Sequence, residues 1–457
     1  MIPVRAHLAA GCLRALVSAV DLLPAGWRYG YVNPIARRLL GGDQPAGLRS
    51  GTTTPAAVTP TDGPRPAASL HAALVTGRLD VGGVEAVVAM LAERLPTDGV
   101  AVTVLCSALG RTASALRDRG VVVHVVDSPE KAAAALQKLA PDVVQLHNAP
   151  PYLVEVARAS RLPLVPVVHN TEVYNTPQDW RRAADLLDHA PDAVAVSSAV
   201  AGYFRAHLPR EQATRWTVIP NAAPVRSVRT TVDRARARAQ LGELLEADLG
   251  ADPVVVCLAR YDAQKNLPGT VASFHTVAQR AAGRHLRLVV AGEVTDWLEY
   301  RRADAVRRTG AMRDRVHLIG NSDAAMLLAA ADALLLNSFF EGWPVAGTEA
   351  VAAGLPLVIA DVGGAAELVA AGHGIVVPNA AGRTADLGPR LLARARRAAL
   401  QPNAPAVRDA LLAVAGGDLH RVEPQPADRL AAEVAGMASA HAAVLGRAGG
   451  GPPPSVR

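Results

Sequence analysis

The sequence predicts an α/β protein with two domains, each built on a parallel β-sheet. Three observations support this prediction. Short apolar runs that suit buried parallel strands alternate along most of the chain with segments of helical periodicity. Polar or glycine-rich residues directly follow several of these runs, and parallel sheets bind ligands at the carboxyl ends of their strands. A length of 457 residues provides enough apolar side chains for two hydrophobic cores.

The composition narrows the possible classes of function. Half of the residues are hydrophobic, yet no run of about 18 apolar residues occurs, so no membrane-spanning helix is predicted. The formal net charge of +6 suits an anionic ligand or a membrane surface. No basic motif interleaved with aromatic residues occurs, so nucleic acid is not an expected partner. Cys12, Cys106 and Cys257 lack metal-ligand spacing and no export signal is recognised, so a reducing, cytoplasmic location is expected.

The first 68 residues are predicted to be an amphipathic segment and a flexible linker. Residues 4–23 place apolar side chains on one face of a helix, and residues 41–68 are rich in Gly, Pro, Thr and Ala. One interpretation is peripheral membrane attachment through residues 4–40, at the inner face of the membrane. The alternatives are a helix packed on the protein's own surface, which the acidic Asp21 favours, and a start codon assigned upstream of the true one.

The first domain is predicted to begin near Ser69. Its first strand is His71–Val75, followed by a loop that ends in Gly82-Gly83 and then by a helix over 84–95. A glycine pair between a strand and a helix lets backbone N–H groups approach a phosphate closely, although such a pair more often marks only a turn. The further strands are predicted at Ala101–Leu105, Val121–Val126, Val143–Leu146, Leu164–Val168, Ala193–Val196 and Trp216–Ile219, and the helices at Glu130–Leu139 and Ala199–His207.

Two histidines of this domain directly follow apolar strands. His147 and His169 are therefore expected at the edge of the sheet where ligands bind. A histidine at the end of a strand is also common as an ordinary loop residue.

The second domain follows a charged helix over 233–249 and opens with the strand Val254–Ala259. Arg260 and Lys265 lie directly beyond this strand, and they can converge on one diphosphate if the loop folds back. Each charge-assisted hydrogen bond to phosphate contributes about 1.5–3 kcal/mol. The alternative is two solvated basic residues. The other elements are predicted as the helices Leu267–Ala282 and Asp323–Ala330, and as the strands Leu286–Ala291, Val316–Ile319, Ala331–Leu336 and Leu355–Ala360.

Two glutamates surround the start of a helix in this domain. Glu341 lies in the loop after a strand, and Glu349 lies about one turn into a helix for which Pro344 suits the first position. The backbone N–H groups of Trp343, Val345 and Ala346 can face an anion at this helix start. Because carboxylates accept hydrogen bonds from hydroxyl groups, this pattern suits a sugar nucleotide. The alternative is two solvated glutamates beside an ordinary helix.

The stretch Phe340-Glu-Gly-Trp-Pro, followed by Gly347-Thr-Glu-Ala-Val-Ala-Ala-Gly-Leu-Pro, resembles the Glu-x7-Glu signature of retaining glycosyltransferases of family 4, which have the GT-B fold. The resemblance extends over about residues 69–445 through four further matches in the same order. These are Gly82-Gly83, His169, the Pro220-Asn221 hinge, and the pair Arg260 and Lys265. The chain departs from the family pattern at Ala222 and Ala259, where the family has glycine.

This resemblance implies a GT-B fold with two Rossmann-like domains facing a central cleft. It implies an acceptor-side domain over 69–225, a donor-side domain over 226–426 and a C-terminal helix over 427–447 that braces the first domain. Residues 448–457 are predicted to be disordered. The implied reaction is transfer of a hexosyl unit, with retention of configuration, from a nucleoside-diphosphate sugar to an unidentified acceptor, which is a polysaccharide, a lipid-linked molecule or a small molecule.

The resemblance also implies the roles of individual residues. The implied catalytic residues are His169, Glu341, Arg260 and Lys265. The implied donor-binding residues are Gly83, Arg260, Lys265, Glu341, Trp343, Pro344, Val345 and Glu349. No Asp-x-Asp pair occurs, so neither a metal nor another cofactor is expected, and the basic residues must neutralise the leaving diphosphate. Two alternatives stay open: a sugar-nucleotide epimerase of the same fold, and a non-catalytic partner protein that has kept this fold.

Overall fold

The computed structural model of the protein describes residues 4–21, 23, 32–48, 70–80, 82–209, 214–224 and 232–450. These residues form two compact units, each built on one parallel sheet. The seven-stranded unit comprises the described residues within 55–225, 342–345 and 427–457. The six-stranded unit comprises those within 1–54, 226–341 and 346–426.

The strands, in chain order, are β1 Leu70–Leu79, β2 Val100–Leu109, β3 Val122–Val125, β4 Val143–His147, β5 Leu164–Val168, β6 Asp192–Ala195, β7 Arg215–Val218, β8 Val254–Leu258, β9 Arg287–Ala291, β10 Val316–Ile319, β11 Ala333–Leu336, β12 Leu357–Ala360 and β13 Gly374–Val377. The helices are α1 Val4–Val20, α2 Asn33–Leu40, α3 Gly83–Arg94, α4 Arg111–Asp118, α5 Pro129–Leu139, α6 Pro151–Ala159, α7 Pro177–Asp188, α8 Ser198–His207, α9 Arg234–Leu245, α10 Leu267–His275, α11 Trp297–Thr309, α12 Ala324–Ala330, α13 Val345–Ala352, α14 Ala365–Ala371, α15 Pro389–Arg397, α16 Ala404–Gly416 and α17 Ala427–Gly449.

The sheet of the seven-stranded unit has the order β3-β2-β1-β4-β5-β6-β7, and each neighbouring pair is parallel. Every residue of β4 is buried, as expected for a central strand covered on both faces. The helix α17 belongs to this unit although it lies near the end of the chain, and it contacts β1, β4 and β5.

The first strand is longer than the sequence predicts. The predicted loop over 76–83 is wrong for its first residues, because Thr76 pairs with Cys106 and Arg78 pairs with Ala108 of the neighbouring strand. The strand β1 continues past its apolar run, and the polar Arg78 is tolerated near its carboxyl end because the strand is less buried there. The helices α4, α6 and α7 were not predicted. The helix α17 continues to Gly449, past the predicted end, and residues 451–457 lie outside the described residues.

The sheet of the six-stranded unit has the order β10-β9-β8-β11-β12-β13. The chain builds β9 and β10 on one side of β8 and then returns to place β11 on the other side. The loops that follow β8 and β11 therefore leave the sheet side by side, at the position where the strand order reverses. Sheets of this kind bind ligands at that position.

The N-terminal helices pack on the six-stranded unit, in agreement with the interpretation of a helix packed on the protein's own surface. The helix α1 contacts α11 and α15, and its Val17 is fully buried. The helix α2 contacts α11 and buries Ala36. Residues 24–31, which belong to the predicted membrane contact over 4–40, lie outside the described residues.

The flexible linker was predicted to begin too early. The side-chain amide of Gln44 makes paired hydrogen bonds to the backbone of Val294, at 3.1 and 2.9 Å. The carbonyl oxygen of Ala46 accepts from the N–H of Gly320 at 2.8 Å, and Leu48 is buried. Residues 44–48 are thus fixed against the carboxyl ends of β9 and β10. Residues 49–69 lie outside the described residues.

A buried ion cluster joins α1 to the rest of the six-stranded unit. Arg396 of α15 contacts the carboxylate of Asp21 and, at 2.6 Å, that of Glu299. Arg302 also contacts Glu299, at 2.8 Å. Burial by itself would raise the pKa of Glu299, but the two arginines lower it to about 2.

Candidate active site

The loop after β8 folds back on itself, as the diphosphate hypothesis requires. The side chain of Asp262 accepts hydrogen bonds from the backbone N–H groups of Gln264, at 3.0 Å, and Lys265, at 3.2 Å. Asn266 has a left-handed backbone with φ of 51°, which ends the turn and starts α10. The carboxylate of Asp262 thus stabilises the turn that positions Lys265.

Lys265 and Glu341 form a buried ion pair. The Nζ of Lys265 lies 2.6 Å from Oε1 of Glu341, and their side chains are 18% and 8% exposed. The hydroxyl of Ser338 donates to the same oxygen at 2.7 Å, and the amide of Gln264 donates to Oε2 at 2.9 Å. The sequence analysis predicted Lys265 at a diphosphate and Glu341 at the hydroxyl groups of a sugar nucleotide. The structure brings the two together across the loops that follow β8 and β11.

Hydrogen bonds to backbone carbonyl groups fix these two loops to each other. The N–H of Phe339 donates to the carbonyl of Gln264 at 2.9 Å, and the Gln264 amide also donates to the carbonyl of Phe340, at 2.9 Å. Beneath them, Asn266 donates to the carbonyl of Asn337 at 3.0 Å. The carboxylate of Glu341 is therefore held by a framework that extends through both loops.

Arg260 lies at the start of the same loop but remains largely in solvent. Its side chain is 59% exposed and lies 3.3 Å from the carboxylate of Asp262. Burial raises the pKa of the Asp262 carboxyl, and the nearby charges of Lys265 and Arg260 oppose that rise. Arg260 can thus reach an anion in solvent without breaking a buried contact.

The second glutamate of the signature lies on α13. This helix begins at Val345, one residue after the predicted start at Pro344, and Glu349 is half-buried one turn later. Between Glu341 and α13 the chain contains Trp343, which is half-buried.

Residues 342–345 cluster with the seven-stranded unit and approach two of its predicted site residues. A Cβ atom on Gly342 would lie 1.8 Å from the backbone oxygen of His169, so only glycine fits at this position. A Cβ atom on Gly83 would lie 3.2 Å from Cγ2 of Val345. Gly82 has an extended backbone, and Gly83 is the first residue of α3. The predicted residues Gly83, His169 and Val345 are thus near one another in this unit.

A chain of four buried side chains ends at His169. Its Nε2 lies 2.9 Å from Nδ1 of His147, whose Nε2 lies 3.0 Å from Oε1 of Gln145. The amide nitrogen of Gln145 lies 3.0 Å from Nδ1 of His441 on α17. His169 is 7% exposed, and the other three side chains are buried more fully. His147, the second histidine predicted for the ligand edge, therefore lies behind His169.

Burial keeps these histidines neutral. It lowers the pKa of His169 to about 4. Burial and the neighbouring His169 lower the pKa of His441 to about 3. The pKa of His147 lies well below its usual value, mainly because of burial and then because of the two neighbouring imidazoles.

Sequence reasoning missed several polar residues of both units. Gln264, Ser338 and Asn337 directly follow strands or adjoin a predicted site residue, so the rule that ligands bind at strand ends could have identified them. Gln145 and His441 gave no such signal, because one lies within a strand and the other near the end of the chain. Among the described residues, no group of three or more His, Cys, Asp or Glu side chains is placed to hold a metal ion. No described helix is both long enough and apolar enough to span a membrane.

Comparison with known proteins identifies two domains. The model of the family described as Glycosyltransferase Family 4 matches residues 81–226, and the one described as Glycosyl transferases group 1 matches residues 252–394. Glycogen synthase of Mycobacterium tuberculosis is 26% identical over 241 residues, which are 51% of this chain and 55% of that protein. The chain thus spans about half the length of the curated relatives it matches.

Solved structures confirm the GT-B fold. Anabaena HepE in complex with UDP-glucose is similar with a TM-score of 0.58 at 18% identity, over 81% of this chain and 99% of that chain. A glycosyltransferase from Rickettsia africae ESF-5 has a TM-score of 0.59 at 14% identity, over 83% of this chain and 98% of that chain. These likenesses concern the fold, whereas the family models concern the sequence. The two matched domains together cover more than half of the chain, which therefore belongs to the group 1, family 4 glycosyltransferases.

Proposed function

We propose that the protein is a retaining glycosyltransferase that moves a hexosyl unit from a nucleoside-diphosphate sugar to a hydroxyl group of an acceptor. The observation that carries this proposal is the Lys265–Glu341 pair, held at 2.6 Å where the strand order of the six-stranded sheet reverses. A cation for the diphosphate and an acceptor of sugar hydroxyl bonds are then available at one position.

The proposed roles follow from the chemistry of each side chain. Arg260 and Lys265 neutralise the diphosphate as it leaves, together with the N–H groups of Trp343 and Val345 at the start of α13, where Pro344 leaves no N–H of its own to pair. Glu341 accepts hydrogen bonds from the hexose, and Glu349 accepts them from the ribose. These two carboxylates lie on opposite sides of the helix start, so each has its own group of hydroxyls.

On the seven-stranded unit, we assign Gly83 to the diphosphate and His169 to the transferred sugar. The leaving phosphate takes the proton of the attacking acceptor hydroxyl on the same face, which retains the configuration. This assignment uses no metal ion or other cofactor.

A screen of UDP-, GDP- and ADP-linked hexoses tests the donor proposal. Thermal shift and slow donor hydrolysis are expected with one nucleotide class, and the signal should be lost in Lys265→Ala. The anomeric configuration of the product, read by NMR, tests retention. If no nucleoside diphosphate binds to the intact protein, the protein is instead a non-catalytic relative and the proposal fails.

Incubation with the donor alone separates the transferase from the epimerase alternative. A transferase leaves the sugar of the donor unchanged or releases it slowly by hydrolysis. An isomerised sugar or sugar nucleotide formed without any acceptor would contradict the proposal.

We propose a cytoplasmic location and three classes of acceptor: a polysaccharide, a lipid-linked molecule and a small molecule. Among the described residues of 4–40, the outward side of α2 offers a surface for a peripheral membrane contact, because Ile35 and Leu39 are exposed there beside Arg38. Flotation of the full chain with anionic liposomes, compared with a chain that starts at Ser69, tests this contact. Equal flotation of the two would exclude it.

A further inference from the structure

The hydrogen bonds that join the side chains from His441 to His169 have a fixed donor and a fixed acceptor. A glutamine amide has two unlike ends, because its carbonyl oxygen only accepts hydrogen bonds and its NH2 group only donates them. In Gln145 the NH2 group faces Nδ1 of His441, and the oxygen faces Nε2 of His147. His441 must therefore accept a hydrogen bond from Gln145, and His147 must donate one to it.

The direction determines where each neutral imidazole carries its single proton. The Nε2 of His147 must carry the proton, because it donates to the oxygen of Gln145. The Nδ1 of His147 is then a bare acceptor, and it lies 2.9 Å from Nε2 of His169. The donor in this last bond must be Nε2–H of His169. The Nδ1 of His169 consequently has a free lone pair.

The free nitrogen lies where the proposed reaction needs an acceptor. Within the part of the chain that the structure describes, Nδ1 of His169 has no hydrogen-bond partner. His169 directly follows β5, at the ligand-binding edge of the sheet, and it keeps 7% of its surface exposed. A hydroxyl group of a ligand can donate a hydrogen bond to this nitrogen.

We propose that Gln145 and His147 are positioning residues that hold His169 in its Nε2–H form, so that its Nδ1 accepts a hydrogen bond from a sugar hydroxyl. This inference rests on the proposed function for the identity of the ligand, but the proton placement itself does not. His441 completes the chain of hydrogen bonds, because its Nδ1 accepts from the NH2 group of Gln145 at 3.0 Å. The helix α17 thus contributes to the hydrogen bonding of a residue in the site.

The proton placement can be measured without any activity. In the intact protein labelled with 15N-histidine, long-range proton–nitrogen NMR correlations distinguish protonated from bare ring nitrogens. The expected result at pH 7 is a bare Nδ1 and a protonated Nε2 for His169, assigned by comparison with His169→Gln. A protonated Nδ1 on His169 would overturn the proposal, whether or not the protein transfers sugar.

The effect on the reaction is tested with Gln145→Leu, which keeps the volume and removes both hydrogen-bonding ends. The expected result is a mixture of the two proton positions on His169 and a fall in kcat of about tenfold, by analogy with the loss of an orienting partner. Binding of the bare nucleoside diphosphate should not change, because His169 is assigned to the transferred sugar and not to the nucleotide. Gln137→Leu, an exposed change on α5 of the same unit, is the control.

The outcomes separate the inference from the function. If Gln145→Leu leaves both the proton positions and kcat of an active enzyme unchanged, the positioning role is wrong. If the protein shows no transfer but the NMR result is as expected, the proton placement stands and the proposed ligand is wrong. If Gln145→Leu does not fold, the NMR measurement on the unsubstituted protein still decides the central point.

Discussion

At the scale of single residues, the main finding is that two predicted site residues pair with each other. Lys265 and Glu341 are 76 positions apart in the chain and 2.6 Å apart in the fold. A buried charge that loses its partner costs several kcal/mol, so substitutions here can affect stability as well as turnover. The predictions for these residues therefore combine activity with a melting measurement.

Removal of either basic residue should slow the reaction. Lys265→Ala and Arg260→Ala are each expected to lower kcat by about 10²-fold, because each removes one preorganised charge beside the leaving diphosphate. Lys265→Ala should also lower the melting temperature, since it leaves Glu341 with only the neutral partners Gln264 and Ser338. Arg260→Ala should not lower it, because the Arg260 side chain is largely exposed. Steady-state kinetics and thermal melts check both effects, with the exposed Arg383→Ala as control. Near-normal turnover in both variants would refute the assigned diphosphate site.

The two glutamates should differ in which step they affect. Glu349→Gln is expected to weaken binding of the bare nucleoside diphosphate more than Glu341→Gln does, because Glu349 is assigned to the ribose. Glu341→Gln should instead lower turnover and leave that binding almost unchanged. Calorimetry with the bare nucleotide, combined with kinetics, measures the contrast. Equal losses of affinity would contradict this division of roles.

At the scale of elements, the N-terminal helices are parts of a folded unit. The buried Arg396 joins α1, α11 and α15, because it contacts Asp21 and Glu299. Removal of the Arg396 side chain would take this partner away from Asp21, the residue that follows α1. Glu299 would keep its ion pair with Arg302.

Loss of that arginine should destabilise the six-stranded unit. Arg396→Met is expected to lower the free energy of unfolding by about 3–5 kcal/mol, the range for breaking a buried ion pair on one side. Arg390→Met, an exposed change on the same helix, controls for helix propensity and should have little effect. Urea unfolding measures both variants. A loss in Arg396→Met as small as in the control would show that the cluster contributes little.

The elements also show what sequence patterns can and cannot predict. The strand β5 occupies the predicted residues, because a parallel strand buried on both faces is a continuous apolar run. The strand β10 also occupies the predicted residues, although it lies at the edge of its sheet and contains His317. The helix α11 escaped prediction because its buried face contains Glu299 and Arg302, which pair with each other instead of presenting an apolar stripe. The side chains proposed for the site were predicted from the loops that contain them. Their pairing was not, since it depends on contacts between distant parts of the chain.

At the scale of the whole molecule, the two units should lose different amounts of stability as the pH falls from 6.5 to 4. In the seven-stranded unit, the folded pKa of His169 is about 4, below the usual 6.5. In the six-stranded unit, the folded pKa of Glu299 is about 2, below the usual 4.5. Wherever the unfolded chain binds more protons than the folded chain, the free energy of unfolding falls as the pH falls.

Between about pH 6.5 and pH 4 the seven-stranded unit should therefore lose more stability than the six-stranded unit, because the buried His147, His169 and His441 would be protonated only when unfolded. In the six-stranded unit the lowered pKa values of His275 and His317 cause a loss in the same range, and the raised pKa of Asp296, about 6, opposes it. The contribution of Glu299 should be lost later, between pH 4.5 and about 2. Hydrogen exchange of peptides from β4 and β11, corrected for the intrinsic pH dependence of exchange, reports each unit separately. His441→Gln should reduce the loss in the upper range. An equal loss of protection in both units between pH 6.5 and pH 4 would contradict this expectation.

The place of α17 in the fold has a consequence for synthesis on the ribosome. Gln145 and its partner His441 are 296 positions apart, and both belong to the seven-stranded unit. The chain for the whole six-stranded sheet must be made before α17 emerges, so the sheet that is made first belongs to the unit that is completed last. Until then the polar side chain of Gln145 lacks this partner. We expect stalled chains that end before α17 to be cleaved by protease within residues 70–224, and chains that include it to resist.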